Sequence, residues 1–160
     1  APLARIADTL RGRAFVVVTA TTDVPQAMHL APGAAAYVTN DEPDRGMTHS
    51  LRCALTRIAP DRAIGVLLAD VPFITAQTIA RIESELAPSI DVAYPTDRDG
   101  APGHPVIFAA SLRARLEALP DGDTLRALRD DPQLRRARVL IEDRGAFYDL
   151  DRPSQWHAQT

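Results

Sequence analysis

Apolar and polar positions along this chain fall into short blocks that alternate between two periods. Pro2 to Arg11 carries Leu3, Ile6, Ala7 and Leu10 at the spacing of one helix face. Phe15-Val16-Val17-Val18 is continuous and β-branched, which suits a strand covered on both sides. Asp23 and Pro25 open a short helix through Ala31. Ala34 to Thr39 is a strand and Asn40 to Arg45 a polar loop. Gly46 to Ile58 sets Met47, Leu51, Ala54, Leu55 and Ile58 on one helical stripe. Ile64 to Ala69 predicts a central, buried parallel strand, ended by Asp70 and Pro72. Thr75 begins a helix with Ile79, Ile82 and Leu86, and Pro88 stops it.

The second half is less regular. Asp91 to Tyr94 is a short strand, and Thr96 to Gly103 a Pro/Gly/Asp loop. Pro105 to Phe108 is a strand with its proline at the first position or on an edge. Helical spacing returns at Leu112 to Leu119 and Thr124 to Leu128. Arg138 to Ile141 is a late strand, and Phe147 to Leu150 a last extended piece. Such alternation predicts an α/β fold with a mostly parallel sheet covered on both faces.

Length and composition narrow the picture. The 160 residues suit one domain, with 24% charged and 46% hydrophobic residues. A net charge of −3 gives no electrostatic footing for a nucleic-acid backbone. No apolar stretch nears the roughly 20 residues that cross a bilayer, and no secretory leader pattern is present. The lone Cys53 excludes an intrachain disulfide and a multi-cysteine zinc site, and its helical setting predicts a small buried hydrophobe. These features favour a cytoplasmic protein. All 18 basic residues are arginine, so no residue of this chain can serve as a Schiff-base, general-base or phosphate-loop lysine.

Four segments carry candidate chemistry. Asp70 sits where a strand ends, the edge at which open α/β sheets bind ligands. One carboxylate there suits Mg²⁺, which is often held by one or two acids plus substrate phosphates; a turn or capping aspartate is the other reading. His104 is fixed between Gly103 and Pro105 just before a strand, either to meet a substrate or as a solvated loop residue. Asn40, Gly46 and Ser50 span a strand tip, a polar loop and a helix start, where an anion or a base edge can dock; capping chemistry explains them as well. Asp149 and Asp151 share one side of an extended segment and can complete a metal site with Asp70, or form a surface turn. His29, His49 and His157 lack partners at metal-ligand spacing and are expected at the surface.

Taken in order, Asn40-x-x-x-x-x-Gly46-Met47-x-x-Ser50-Leu51, Leu68-Ala69-Asp70-x-Pro72-Phe73, Gly103-His104-Pro105-Val106 and Asp149-x-Asp151-x-Pro153 resemble the MobA-like nucleotidyltransferases. The Gly-His-Pro segment is most similar to the molybdenum cofactor cytidylyltransferase branch. The resemblance implies a Rossmann-like three-layer sandwich of the nucleotide-diphospho-sugar transferase type. It also implies transfer of CMP or GMP from CTP or GTP to a phosphorylated acceptor such as molybdopterin, with pyrophosphate released. In that scheme Asp70, with Asp151, holds Mg²⁺, and Asn40, Gly46 and Ser50 line the nucleotide side. Gly103, His104 and Pro105 lie by the acceptor, with Asp70 and His104 as the catalytic pair. Such chemistry needs positioning and charge neutralisation rather than a covalent nucleophile. Residues 1–160 are expected to form one such domain without the family's N-terminal strand and glycine-rich loop with its lysine. That departure raises the alternatives of an inactive binding or chaperone module, or of a transferase for another phosphorylated acceptor.

Overall fold

A computed structural model describes residues 1–148. Helix α1 (Pro2–Thr9) starts on a proline, whose missing N–H costs nothing in a first turn. Strand β1 (Val16–Thr19) leads through a 3₁₀ turn into α2 (Val24–Leu30), then β2 (Ala36–Thr39). A second 3₁₀ turn, Pro43–Arg45, feeds α3 (Gly46–Leu55). Strand β3 (Ile64–Val66), α4 (Ala76–Ser84), β4 (Val92–Thr96) and β5 (Val106–Phe108) follow. Two short helices, α5 (Arg113–Glu117) and α6 (Arg126–Arg129), precede β6 (Arg136–Leu140).

The strands form two ladders, β1–β2 and β3–β5–β4–β6. Parallel pairing dominates, with four residue pairs in β1–β2 and five in β4–β6. The antiparallel contacts are shorter, three pairs in β3–β5 and two in β4–β5. Side-chain alternation sorts the larger ladder into two faces. Val92, Tyr94, Val106 and Phe108 turn toward Leu51 and Leu55 of α3, Leu116 of α5 and Leu128 of α6. Ala93, Ile107 and Val139 turn the other way, toward Ile82 of α4. Val17 of β1 packs with Ala27 and Ala31, against Leu3 and Ala7 of α1. On that second face Arg13 reaches Glu83 of α4 at 2.9 Å, and the Thr9 hydroxyl donates to the Ile74 carbonyl at 3.4 Å. Helices therefore cover both faces, giving the three-layer α/β arrangement that the alternation predicts.

One expected element is different. The run Ile64 to Ala69 is not a central parallel strand: only Ile64–Val66 is strand, it lies at the end of its ladder, and it runs antiparallel to β5. Its ladder stops at the Val66–Val106 pair because the next residue of the partner is Pro105, which has no N–H to give. Gly65 in its middle is exposed. The final segment also departs from expectation. Phe147 has helical rather than extended backbone (φ −119°, ψ −2°), and Asp149 to Leu150 lie outside the described residues. No described helix is long and apolar enough to cross a membrane.

Candidate functional site

Two clefts open at the carboxyl ends of the strands. The first, about 330 Å³, is lined by Val18, Thr19 and Ala20 at the end of β1, by Asn40 just past β2, and by Pro43, Gly46, Met47 and Ser50 at the start of α3. The three residues that the sequence assigns to the nucleotide thus share one cavity. Local chemistry explains how they get there. Gly46 has φ +81°, a left-handed backbone that turns the 3₁₀ segment sharply into α3 and is strained for other residues. The buried Asn40 acts as a staple: its side-chain amide donates to the Ser50 hydroxyl at 2.8 Å, and its carbonyl accepts the Glu42 N–H at 2.9 Å. Its own backbone N–H donates to Thr19 across the β1–β2 ladder. Asp41, next in line, accepts the Thr21 N–H at 2.7 Å and the Thr21 hydroxyl, which tie the loop after β2 to the turn after β1. Those bonds from Thr21 hold the Asp41 carboxyl below the usual carboxylate range.

The second cleft, about 500 Å³, shares Thr19 with the first as a lining residue. Ala1, Pro2 and Leu3 of the α1 start, Asp23, Gln26, Ala27 and Leu30 around α2, and Ala69 with Asp70 line it. Asp70 is exposed at its mouth, beyond the end of β3. Asp23, which the sequence reading did not single out, is a second carboxylate in the same space. Among the described residues no group of three or more His, Cys, Asp or Glu is arranged to hold a metal by itself. A donor set of one or two carboxylates fits a hard ion such as Mg²⁺, which takes its remaining oxygens from phosphates and water.

His104 lines neither cleft. It does share their end of the larger ladder: β5 is antiparallel to β3, so the residues before Val106 lie beside those after Val66. The His104–Pro105 peptide is cis, and Gly103 and His104 are fixed by backbone bonds, Gly103 N–H to Pro95 at 2.9 Å and His104 N–H to Ala146 at 2.8 Å. A Cβ on Gly103 would stand 2.3 Å from the Ala146 carbonyl oxygen, so only glycine passes there. Asp151, expected as a metal ligand, lies outside the described residues, as do Asp149 and His157.

Two expectations for α3 need correction. Cys53 is partly exposed rather than buried, and its Sγ is 3.8 Å from His49 Nε2 one turn earlier. The His49 side chain is only 15% exposed, and its Nε2 is also 3.6 Å from Glu42. The helical stripe predicts which face is apolar, but not that the loop before α3 folds back over His49.

The sequence reading also missed Asp143. Its carboxylate accepts the Thr78 hydroxyl at 2.6 Å, the Thr75 hydroxyl at 3.0 Å, and the N–H groups of Thr75 and Gly145 at 3.1 and 2.9 Å. Burial pushes this carboxyl upward, but the bonds from Thr78, Gly145 and Thr75 outweigh it and hold the group below the usual range. The signal in the sequence was slight: an aspartate two residues before a glycine, an Asx-turn pattern.

Fold and clefts together define an α/β protein whose candidate ligand site lies at the carboxyl ends of its strands. The chain belongs to the family of MobA-like NTP transferase domains, whose model matches residues 2–139. It is thus a member of a nucleotidyltransferase family that binds nucleoside triphosphates. Among solved structures it is similar to Rv0371c from Mycobacterium tuberculosis H37Rv, with a TM-score of 0.71 and 21% identity over 88% of this chain and 73% of that one. A homologue of Rv0371c from Mycobacterium sp. strain JC1 gives 0.72 and 21%, over 87% and 71%. A complex of Rv0371c with manganese gives 0.71 and 22%, over 88% and 75%. At these identities the likeness concerns the fold. Among curated proteins none matches the chain.

Proposed function

We propose that this protein is a Mg²⁺-dependent nucleotidyltransferase of the molybdenum cofactor type. It transfers CMP or GMP from CTP or GTP to a small phosphorylated acceptor of the molybdopterin class. The observation that carries this reading is the pair of neighbouring clefts that share Thr19 as a lining residue, one lined by Asn40, Gly46 and Ser50, the other by Asp70 and Asp23. The nucleoside occupies the first cleft and the triphosphate runs toward the second, where a metal-bearing carboxylate would neutralise its charge. Asp70 holds the ion, with Asp151 proposed as its second carboxylate. The manganese complex of a structural relative supports a divalent ion in this family. A divalent ion held there would supply Lewis-acid polarisation of the α-phosphate and charge balance for transfer.

The acceptor phosphate oxygen attacks the α-phosphorus while the α–β bridging bond breaks, and pyrophosphate leaves with that electron pair. His104, held by Gly103 and Pro105 at the same end of the sheet, faces the acceptor, and the similarity of this segment to the cytidylyltransferase branch supports the acceptor class. The test is pyrophosphate release from CTP and GTP with molybdopterin and Mg²⁺, together with nucleotide binding by calorimetry. Asp70→Asn should lower kcat by about 10²-fold or more, with metal-dependent nucleotide affinity also reduced. Equal rates and equal metal dependence in wild type and Asp70→Asn would refute the metal role. Nucleotide binding without turnover for any phosphorylated acceptor would favour a binding module.

A further inference from the structure

We infer that Asp143 is a positioning residue, whose carboxylate clamps the turn after β6 onto the start of α4 and so sets Asp70 and His104 relative to one another. The inference rests on the proposed function for its catalytic part, and on geometry for the rest. Asp70 and His104 reach the sheet end on different loops, and neither belongs to a strand. The loop of Asp70 continues through Phe73 and Ile74 directly into Thr75, the N-cap of α4. The loop of His104 is fixed instead by the Ala146 carbonyl. A single side chain connects these two anchors. One carboxylate takes two bonds from Thr75 and one from Thr78 on the α4 side, and one from Gly145 on the turn side.

Packing makes the joint stiff. Gly145 lies flat on the Phe73 peptide, where a Cβ would be 2.1 Å from the carbonyl oxygen. Ala146 is fully buried with Ile74 and Ile79, so the carbonyl that receives the His104 N–H has no room to drift. Four bonds to one ionised acceptor are individually stronger than neutral ones, and the three from Thr75 and Thr78 cross between segments far apart in sequence. A purely local cap would need only the Thr75–Thr78 bond, which the threonines already make at 3.2 Å. Asp143 adds the link between elements. None of the residues of this joint lines the first cleft, with Asn40 and Ser50. Nucleotide capture and acceptor-side alignment are therefore separable.

The test uses the ¹⁵N-labelled full chain and three variants, Asp143→Asn, Thr78→Val and Thr78→Ser. Amide hydrogen exchange is read at His104 and Gly145, with Ala109 and Asn40 as controls, since their N–H groups bond to Asp91 and Thr19 away from the joint. Asp143→Asn and Thr78→Val should speed exchange at His104 and Gly145 by about tenfold or more and leave the controls unchanged. Thr78→Ser, which keeps the hydroxyl, should match wild type. In the transfer assay the first two variants should lose about tenfold in kcat, with the KM for the nucleotide rising less than in Asp70→Asn, which removes the carboxylate itself.

Equal acceleration at all four amides would mean that Asp143 only stabilises the fold, and would overturn the inference. Unchanged kcat despite a loosened His104 amide would overturn it as well. If Asp143→Asn does not fold, Thr78→Val, which removes one donor at nearly constant volume, decides. If wild type transfers no nucleotide, the proposed function fails instead, and the exchange data alone judge the clamp.

Discussion

Asp70 and His104 stood out in the sequence because each interrupts a pattern, a carboxylate ending an apolar run and an imidazole between a glycine and a proline. Their partners did not stand out, since a partner is set by distance rather than spacing. Gly103 shows the difference. The sequence marks it as a turn glycine, while the structure shows that the Ala146 carbonyl and the Phe147 ring occupy the place of its side chain. Gly103→Ala should therefore cost about 1–3 kcal/mol in urea unfolding, because the obstruction is backbone that cannot rotate away. Asn40 makes a second case. The sequence offers it as a reader of a base or ribose, yet its amide and carbonyl already serve Ser50 and Glu42. Asn40→Ala should raise the nucleotide KM several-fold, about 1 kcal/mol or a little more, by freeing Ser50 and the loop rather than by removing a ligand. Ser50→Ala measured beside it tests this, since a shared mechanism makes the double variant no worse than Asn40→Ala alone.

At the scale of elements, helix starts and amphipathic stripes were legible, because caps and periods are local. Thr75 is the N-cap of α4, as expected from its position, and its hydroxyl accepts the Thr78 N–H. Thr75→Ala removes that cap and one bond to Asp143, so it should cost about 1–2 kcal/mol in thermal or denaturant unfolding. Ile82 on the same helix is wholly buried against Ala93, Ile107 and Val139. Ile82→Ala should cost more, about 2–5 kcal/mol, as transfer and cavity costs add. The element that composition misjudged is β3. Its residues are apolar enough for a central strand, but pairing is a property of two chains of backbone, and Pro105 withholds the donor that would extend the ladder. An apolar run specifies burial more firmly than it specifies neighbours.

For the whole molecule, stability should depend on acid in a direction that the carboxylates fix. Asp143 is held below its ordinary range by the hydroxyl and N–H groups around it, against the opposing effect of burial. Asp91 is held down by Arg135, Asp130 by Arg129 and Asp131 by Arg115, each mainly through side-chain hydrogen bonds. A carboxyl that is more acidic in the folded chain stabilises it above its unfolded pKa, about 3.9 for aspartate. That contribution is lost as pH falls from there through the lower folded value. The melting temperature should thus be flat near neutrality and drop below about pH 4. The exposed pairs contribute little to this, being screened by water and salt. Asp143→Asn should visibly flatten the drop, as followed by circular dichroism across the pH range. An acid transition identical to that of wild type would show that its hydrogen bonds add nothing net.

The sequence by itself determined what local rules can decide: an α/β order of elements, the caps and stripes of the helices, and the segments that interrupt them with chemistry. It also carried the family, because ordered motifs persist as patterns along a chain. Only the tertiary structure decided which strands are neighbours, that Asn40 and Ser50 bond to each other, and that Asp143 joins two loops. Those outcomes depend on contacts between residues distant along the chain, and no period or composition within one segment encodes the geometry of its partner.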